Sequence, residues 1–144
     1  MLDTFKDLAE ELMQTMVNAR GGGHKVDMHD GIFGEKFVTY HLLHSGHALP
    51  SEISEVMGIS TARVAAALNS LEAKGFITRE IDKEDRRKII VSLTKEGKSR
   101  AQNQLDEHTL HMAKMLESLG EHDAKEYVRI QARLVENHKS MRAK

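Results

Sequence analysis

The 144-residue chain contains no cysteine and no tryptophan, and only one proline, two tyrosines and four phenylalanines. Without cysteine it can form no disulfide, thiolate zinc site, thiol nucleophile or cysteine-based peroxide switch. No apolar run approaches the ~18–20 residues of a membrane span, and the opening MLDTFKD has neither the basic start nor the apolar middle of a secretory signal. The expected setting is therefore cytoplasmic, with no membrane partner. Nucleophile elbow, P-loop, GxGxxG and HExxH signatures are missing too. Serines and histidines are present, but no motif aligns them, so neither an enzyme nor a cofactor is expected.

What the chain has is charge, 30% of its residues with a formal net charge of −1, and the charge is unevenly spread. Residues 1–59 hold four bases against nine acids, residues 60–100 ten bases against six acids, and residues 101–144 seven of each. A positive segment within a near-neutral chain suits one face built for a polyanion.

The hydrophobic spacing predicts mostly helices. Leu2, Phe5, Leu8, Ala9, Leu12, Met13 and Met16 recur at helical intervals, and Gly21–Gly22–Gly23 ends that helix in a polar stretch reaching Asp30. A second helix over about 31–45 carries Phe37, Val38, Leu42 and Leu43. Pro50 opens a short helix that Gly58 closes, and Ser60 caps the next one, TARVAAALNSLEAK. Two short helices joined by Gly-Ile-Ser form a helix-turn-helix layout. ITREI and IIVSL follow as a hairpin, then a helix capped by Thr94 and running to Gly120, and a last helix over about 123–141. The expected fold class is mainly α with a small β-hairpin wing: a winged helix-turn-helix lobe at 32–100 within a single 144-residue domain, flanked by N- and C-terminal helices at 1–20 and 104–144.

Two features point to nucleic acid. At 100° per residue, Val64, Ala67, Leu68 and Leu71 share one side of the second short helix. The other side is Ala62, Ala66, Asn69 and Ala73, with Arg63, Ser70 and Lys74 along a flank. Small and hydrogen-bonding side chains let a helix backbone come close to base edges in a major groove; burial against another helix would produce the same pattern. The second feature is DKEDRRK, residues 82–88, seven charged residues where a hairpin needs two to five of any kind. Its extra length projects a tip on which Arg86, Arg87 and Lys88 can reach phosphates or enter a minor groove. The two terminal helices and the N-terminal one exceed what the lobe needs for cover, which suggests that chain ends intertwine in a dimer.

PSEISEVMGISTARVAAALNSLEAKGFITREIDKEDRRKIIVSLTKEGK, from Pro50 to Lys98, resembles the MarR family of bacterial winged-helix regulators, and the flanking helices match that family in position and length. The resemblance implies a homodimer on a pseudo-palindromic double-stranded operator, often a repressor released by a small-molecule effector. It places the Thr61–Lys74 helix in the major groove and the wing in the adjacent minor groove. Asp85 and Arg87 match the family's wing pair, the aspartate orienting the arginine, with Arg86 and Lys88 on phosphates. Ser60, Thr61, Ala62, Arg63, Ala66, Asn69 and Ser70 are the candidate contacts from the helix. An effector crevice is expected among the helices bearing Met13, Met16, Phe37, His41 and Met112.

Two rival readings carry their own signals. Nine histidines include His41 with His44 and His108 with His111, each pair one helical turn apart, which could hold zinc with Glu107, His29 or Asp30. The family includes zinc-responsive members, but their ligand spacing differs and some use cysteine. A winged helix used only for protein contact is the other reading, and the small, uncharged helix face beside RRK argues against it.

Overall fold

A computed structural model describes residues 2–20 and 30–142. The helices are α1 (Leu2–Arg20), α2 (Asp30–Ser45), α3 (Pro50–Met57), α4 (Thr61–Ala73), α5 (Lys95–Glu117) and α6 (Glu121–Arg142). The strands are β1 (His47–Ala48), β2 (Ile77–Ile81) and β3 (Ile89–Leu93). The expected glycine-rich stretch after Arg20, and His29 with it, lies outside the described residues.

The described chain divides into two compact units, residues 30–105 and residues 2–20 with 106–142. In the first, α2, α3 and α4 pack together against an antiparallel sheet of order β1-β3-β2. Val38, Leu42, Ile53, Met57, Val64, Leu68, Ile77 and Val91 are almost wholly removed from water there, and apolar burial of this kind is the main force holding such a lobe together. The expected two-stranded hairpin is therefore one strand short. Strand β1 is only two residues long, pairing His47 with Ser92 and Ala48 with Val91, too short to show any alternation in sequence.

Local chemistry sets the breaks. Gly58 takes a left-handed conformation (φ 67°, ψ 30°) that ends α3, and its N–H donates to the Ser54 carbonyl at 2.9 Å. Ser54 Oγ donates to the Ile59 carbonyl, 2.6 Å away, and Ser60 Oγ accepts from the Arg63 N–H at 3.2 Å. The Gly-Ile-Ser connection is thus satisfied from both sides, which fixes the angle at which α4 leaves it.

The wing is fastened at its base. Thr94 Oγ1 donates to the Gly75 carbonyl at 2.7 Å and accepts from the Gly97 N–H at 3.0 Å, while the Thr94 N–H donates to the Phe76 carbonyl at 2.9 Å. Arg100 lies over the Phe76 ring, 4.8 Å from its centroid. A Cβ on Gly97 would sit 1.9 Å from the Phe76 carbonyl oxygen, so α5 crosses this backbone at a distance only glycine allows.

In the second unit Phe5, Ala9, Leu12, Ala113, Leu116, Ala124 and Val128 form a buried cluster, with Leu2, Leu8 and Met112 packed at its margin. The same unit leaves Met115, Tyr127, Ile130, Leu134 and Met141 exposed.

Candidate nucleic-acid interface

Helix α4 buries Val64, Ala67, Leu68 and Leu71, the four residues assigned inward from spacing. Thr61, Ala62, Arg63, Ala66 and Asn69 are exposed, as are Ser60 and Ala73. The alternative of a face buried against another helix does not occur within the described chain. Ser70 differs from its neighbours. It is half-buried, and its hydroxyl hydrogen-bonds Glu35 of α2.

Glu35 also accepts from Lys74 Nζ at 2.8 Å. Burial pushes the Glu35 carboxyl up, but the Lys74 ammonium, the Ser70 hydroxyl and the more distant Arg100 outweigh it and hold the pKa below its ordinary value. The end of α4 is thereby tied to α2 by an ionised carboxylate.

A second tie reaches α4 from the wing. Arg79 of β2 donates from Nε to Glu72 Oε2 at 3.2 Å and from Nη2 to Glu72 Oε1 at 2.8 Å, a two-pronged pair of the kind planar guanidinium favours. The same Nη2 donates to Asn69 Oδ1 at 2.8 Å. Its hydrogen bond to Glu72 raises the Arg79 pKa and lowers that of Glu72.

At the tip, DKEDRRK is an ordered double turn. The Asp82 N–H donates to the Lys88 carbonyl at 2.9 Å and the Lys88 N–H to the Asp85 carbonyl at 3.0 Å. Asp82 Oδ1 accepts from the Glu84 N–H at 2.9 Å, and Asp85 Oδ1 from the Arg87 N–H at 3.1 Å. These aspartate turns account for the loop's length. Asp85 additionally accepts from Arg87 Nε at 3.1 Å and Nη2 at 3.2 Å. The Arg87 side-chain hydrogen bond, its backbone N–H and nearby Lys88 together hold the Asp85 carboxyl below its usual range. Arg86, Arg87 and Lys88 are all exposed. Next to them Ile81 and Ile89 face each other across the ladder, both exposed, because the hairpin's apolar face continues beyond the body it packs on.

A helix of small exposed side chains beside an arginine-tipped hairpin is the arrangement of a winged-helix DNA reader. Known proteins agree. The MarR family model matches residues 40–88, which take in the helix-turn-helix, β2 and the wing tip. That stretch of the chain is similar to the MarR family. Over 87 residues the chain is 29% identical to the HTH-type transcriptional repressor YetL of Bacillus subtilis, a match covering 60% of this chain and 52% of YetL, about half that relative's length. It is 28% identical to the solved YusO protein of Bacillus subtilis, covering 92% of this chain and 86% of that one with a TM-score of 0.61. The DNA complex of Streptococcus pneumoniae FabT shares the fold at 22% identity, with a TM-score of 0.67 over 74% of this chain and 75% of that one.

The other candidate sites fare differently. Met13, Met16 and Met112 belong to one unit and Phe37 and His41 to the other. Phe37 is buried in its lobe's core, and Met13 Sδ accepts a weak bond from Thr109 Oγ1 at 3.6 Å. The histidine pairs are likewise divided, His41 and His44 on α2, His108 and His111 on the later part of α5. Among the described residues no three His, Asp or Glu side chains group to hold a metal. Burial lowers the His41 pKa, opposed by Glu52 and reinforced by His44.

Sequence reasoning missed Arg79, Glu72 and Glu35. Arg79 alternates outward on a strand and Glu72 sits on an exposed helix flank, where each resembles an ordinary solvated charge. Arg79 lies seven positions after Glu72, and only the turn at Gly75 makes the two adjacent.

Proposed function

We propose that this chain is a transcriptional regulator that binds double-stranded DNA in a sequence-specific manner as a homodimer. The observation that carries the reading is the pairing of two surfaces in one lobe: the exposed Thr61–Ala62–Arg63–Ala66–Asn69 face of α4, and a wing tip on which Asp85 holds an exposed Arg87. In the reading, α4 enters a major groove and Arg63 bonds base edges, where a bidentate contact discriminates by about 1–3 kcal/mol. Arg87 enters the neighbouring minor groove, whose width and negative potential attract arginine. Arg86 and Lys88 meet phosphates and supply salt-dependent affinity without sequence information. The exposed apolar residues of the other unit become the dimer contact, and the two-fold relation implies a pseudo-palindromic site with half-sites about one helical turn apart.

The finer part of the proposal is repression relieved by a small molecule. YetL, a relative by sequence, is named a repressor, and effector binding near Met13, Met16, Phe37, His41 and Met112 rests on the family resemblance alone. Among the described residues the zinc alternative has no clustered ligand set to support it. Titrating a duplex containing the region upstream of the gene tests the reading: saturable binding that outcompetes scrambled duplex supports it, and equal affinity for both opposes it.

A further inference from the structure

The hydrogen bond between Arg79 and Asn69 bears on which base the reading helix recognises, an inference that rests on the DNA-binding reading of this lobe. An asparagine recognises adenine with both ends of its amide: Oδ1 accepts from N6 while Nδ2 donates to N7. In this lobe the two ends are not equivalent. Oδ1 of Asn69 is engaged by Arg79 Nη2 at 2.8 Å, and Arg79 is itself held by the two oxygens of Glu72, at 2.8 and 3.2 Å. Glu72 lies one turn beyond Asn69 on the same helix, and Arg79 comes from the strand leading into the wing. Arg79 is largely covered, with 27% of its side chain exposed, so the clamp is an ordered part of the lobe. Asn69 remains exposed, and Nδ2 donates to no described residue. The amide is planar, so fixing Oδ1 toward the strand turns Nδ2 away from it.

We propose that the Glu72–Arg79 pair is a specificity-determining device that occupies one lone pair of Asn69 Oδ1 and turns the amide so that Nδ2 is the end presented to DNA, favouring a base edge bearing acceptors (guanine N7 and O6, or thymine O4) over two-pronged recognition of adenine. Guanine offers two adjacent acceptors and no donor in the major groove; adenine sets a donor beside its acceptor. A donor amide backed by a guanidinium is also more strongly polarised than a free one. Arg79 is a positioning residue here: it touches Asn69 and not the base.

The test is selection of bound sequences from a pool of random duplexes by the full chain, with Asn69→Ala, Arg79→Met and wild type run in parallel. Asn69→Ala identifies the position Asn69 reads, as the one place per half-site where preference falls, by about tenfold, the worth of a neutral hydrogen bond at its upper end. In wild type that position is guanine or thymine. In Arg79→Met the freed Oδ1 shifts the preference there toward adenine, while the preference that depends on Arg63 stays as in wild type. An adenine at the Asn69 position in wild type overturns the proposal. So does an Arg79→Met protein that binds all duplexes more weakly with its base preferences intact, the behaviour of a merely structural clamp. Because the Arg63-dependent preference is read in the same pool, a misfolded variant is recognised by its loss. A wild-type protein that selects no sequence removes the regulator reading and this inference together, whereas an adenine at this position removes the inference alone.

Discussion

Arg87 and Asp85 are joined by three hydrogen bonds from one residue to the other, at 3.1, 3.1 and 3.2 Å, yet the arginine side chain remains 90% exposed and the aspartate only 29%. The carboxylate orders a long cationic side chain without covering it. A free arginine loses rotamer entropy on entering a groove; this one has lost part of it in advance. Arg87→Ala should therefore weaken binding to the selected site by tenfold or more, because it removes a charge-assisted hydrogen bond. Asp85→Ala should cause a smaller loss in the same direction. Fluorescence anisotropy on the selected duplex measures both, and an Asp85→Ala effect larger than that of Arg87→Ala would mean the aspartate has a different role.

The same pair makes a pH prediction. The folded-state pKa of Asp85 is depressed, so the pair's contribution is complete at neutral pH and is lost only as pH falls through that lowered value. Carboxyl carbon titration by NMR should find Asp85 protonating at lower pH than an ordinary aspartate, and Arg87→Ala should move it back up. An Asp85 that titrates identically in both proteins would show that the pair does not form in solution.

Arg63 and Lys88 should fail in different ways. Arg63→Ala should relax preference at one or two positions in each half-site. Lys88→Ala should weaken matched and scrambled duplexes alike and reduce the salt slope by about one unit for each phosphate no longer neutralised. A Lys88 variant with altered base preference would show that this residue reads bases rather than phosphates.

Much of the candidate surface on α4 was legible because it depends on periodicity. The four inward residues of α4 follow from 100° per residue, and Gly58 and Ser60 mark the turn by their backbone and capping chemistry. The wing pair was legible only through the family resemblance, since DKEDRRK by itself does not reveal which aspartate bonds which arginine. Strand β1 was not legible, because two residues carry no pattern. Nor was the burial of Ser70 against Glu35, or Arg79 on Asn69: such contacts depend on how α2 and β2 lie beside α4, and no spacing rule within one element encodes them.

Gly97 gives a stability prediction with an unusual sign. Replacing a helical glycine by alanine ordinarily stabilises by up to about 1 kcal/mol. Here the new Cβ would lie 1.9 Å from the Phe76 carbonyl oxygen and 2.8 Å from its carbonyl carbon. Relief requires backbone movement, and overpacking of this kind costs about 1–3 kcal/mol. Urea denaturation of Gly97→Ala should show net destabilisation; a stabilised variant would mean that α5 and the wing base do not approach so closely in solution.

Helix α6 carries one buried and one exposed set of apolar residues. Ala124 and Val128 lie in the buried cluster with Phe5, whereas Leu134 and Met141 are exposed, at 60% and 75%. Exposed apolar residues grouped along one helix suit a contact surface. Leu134→Glu should therefore give a folded protein that sediments as a monomer, while removal of residues 121–144 should impair folding as well. A Leu134→Glu protein that remains dimeric at micromolar concentration would place the interface elsewhere.

Whether α4 and the wing read DNA as a two-fold pair is decided by selection from random duplexes. The expected result is enrichment of an inverted repeat whose halves are centred about one helical turn, ~10 base pairs, apart, with the enrichment abolished in the Arg63→Ala, Arg87→Ala double variant. A pool that stays unenriched with the wild-type protein, or that is enriched equally by the double variant, would contradict it.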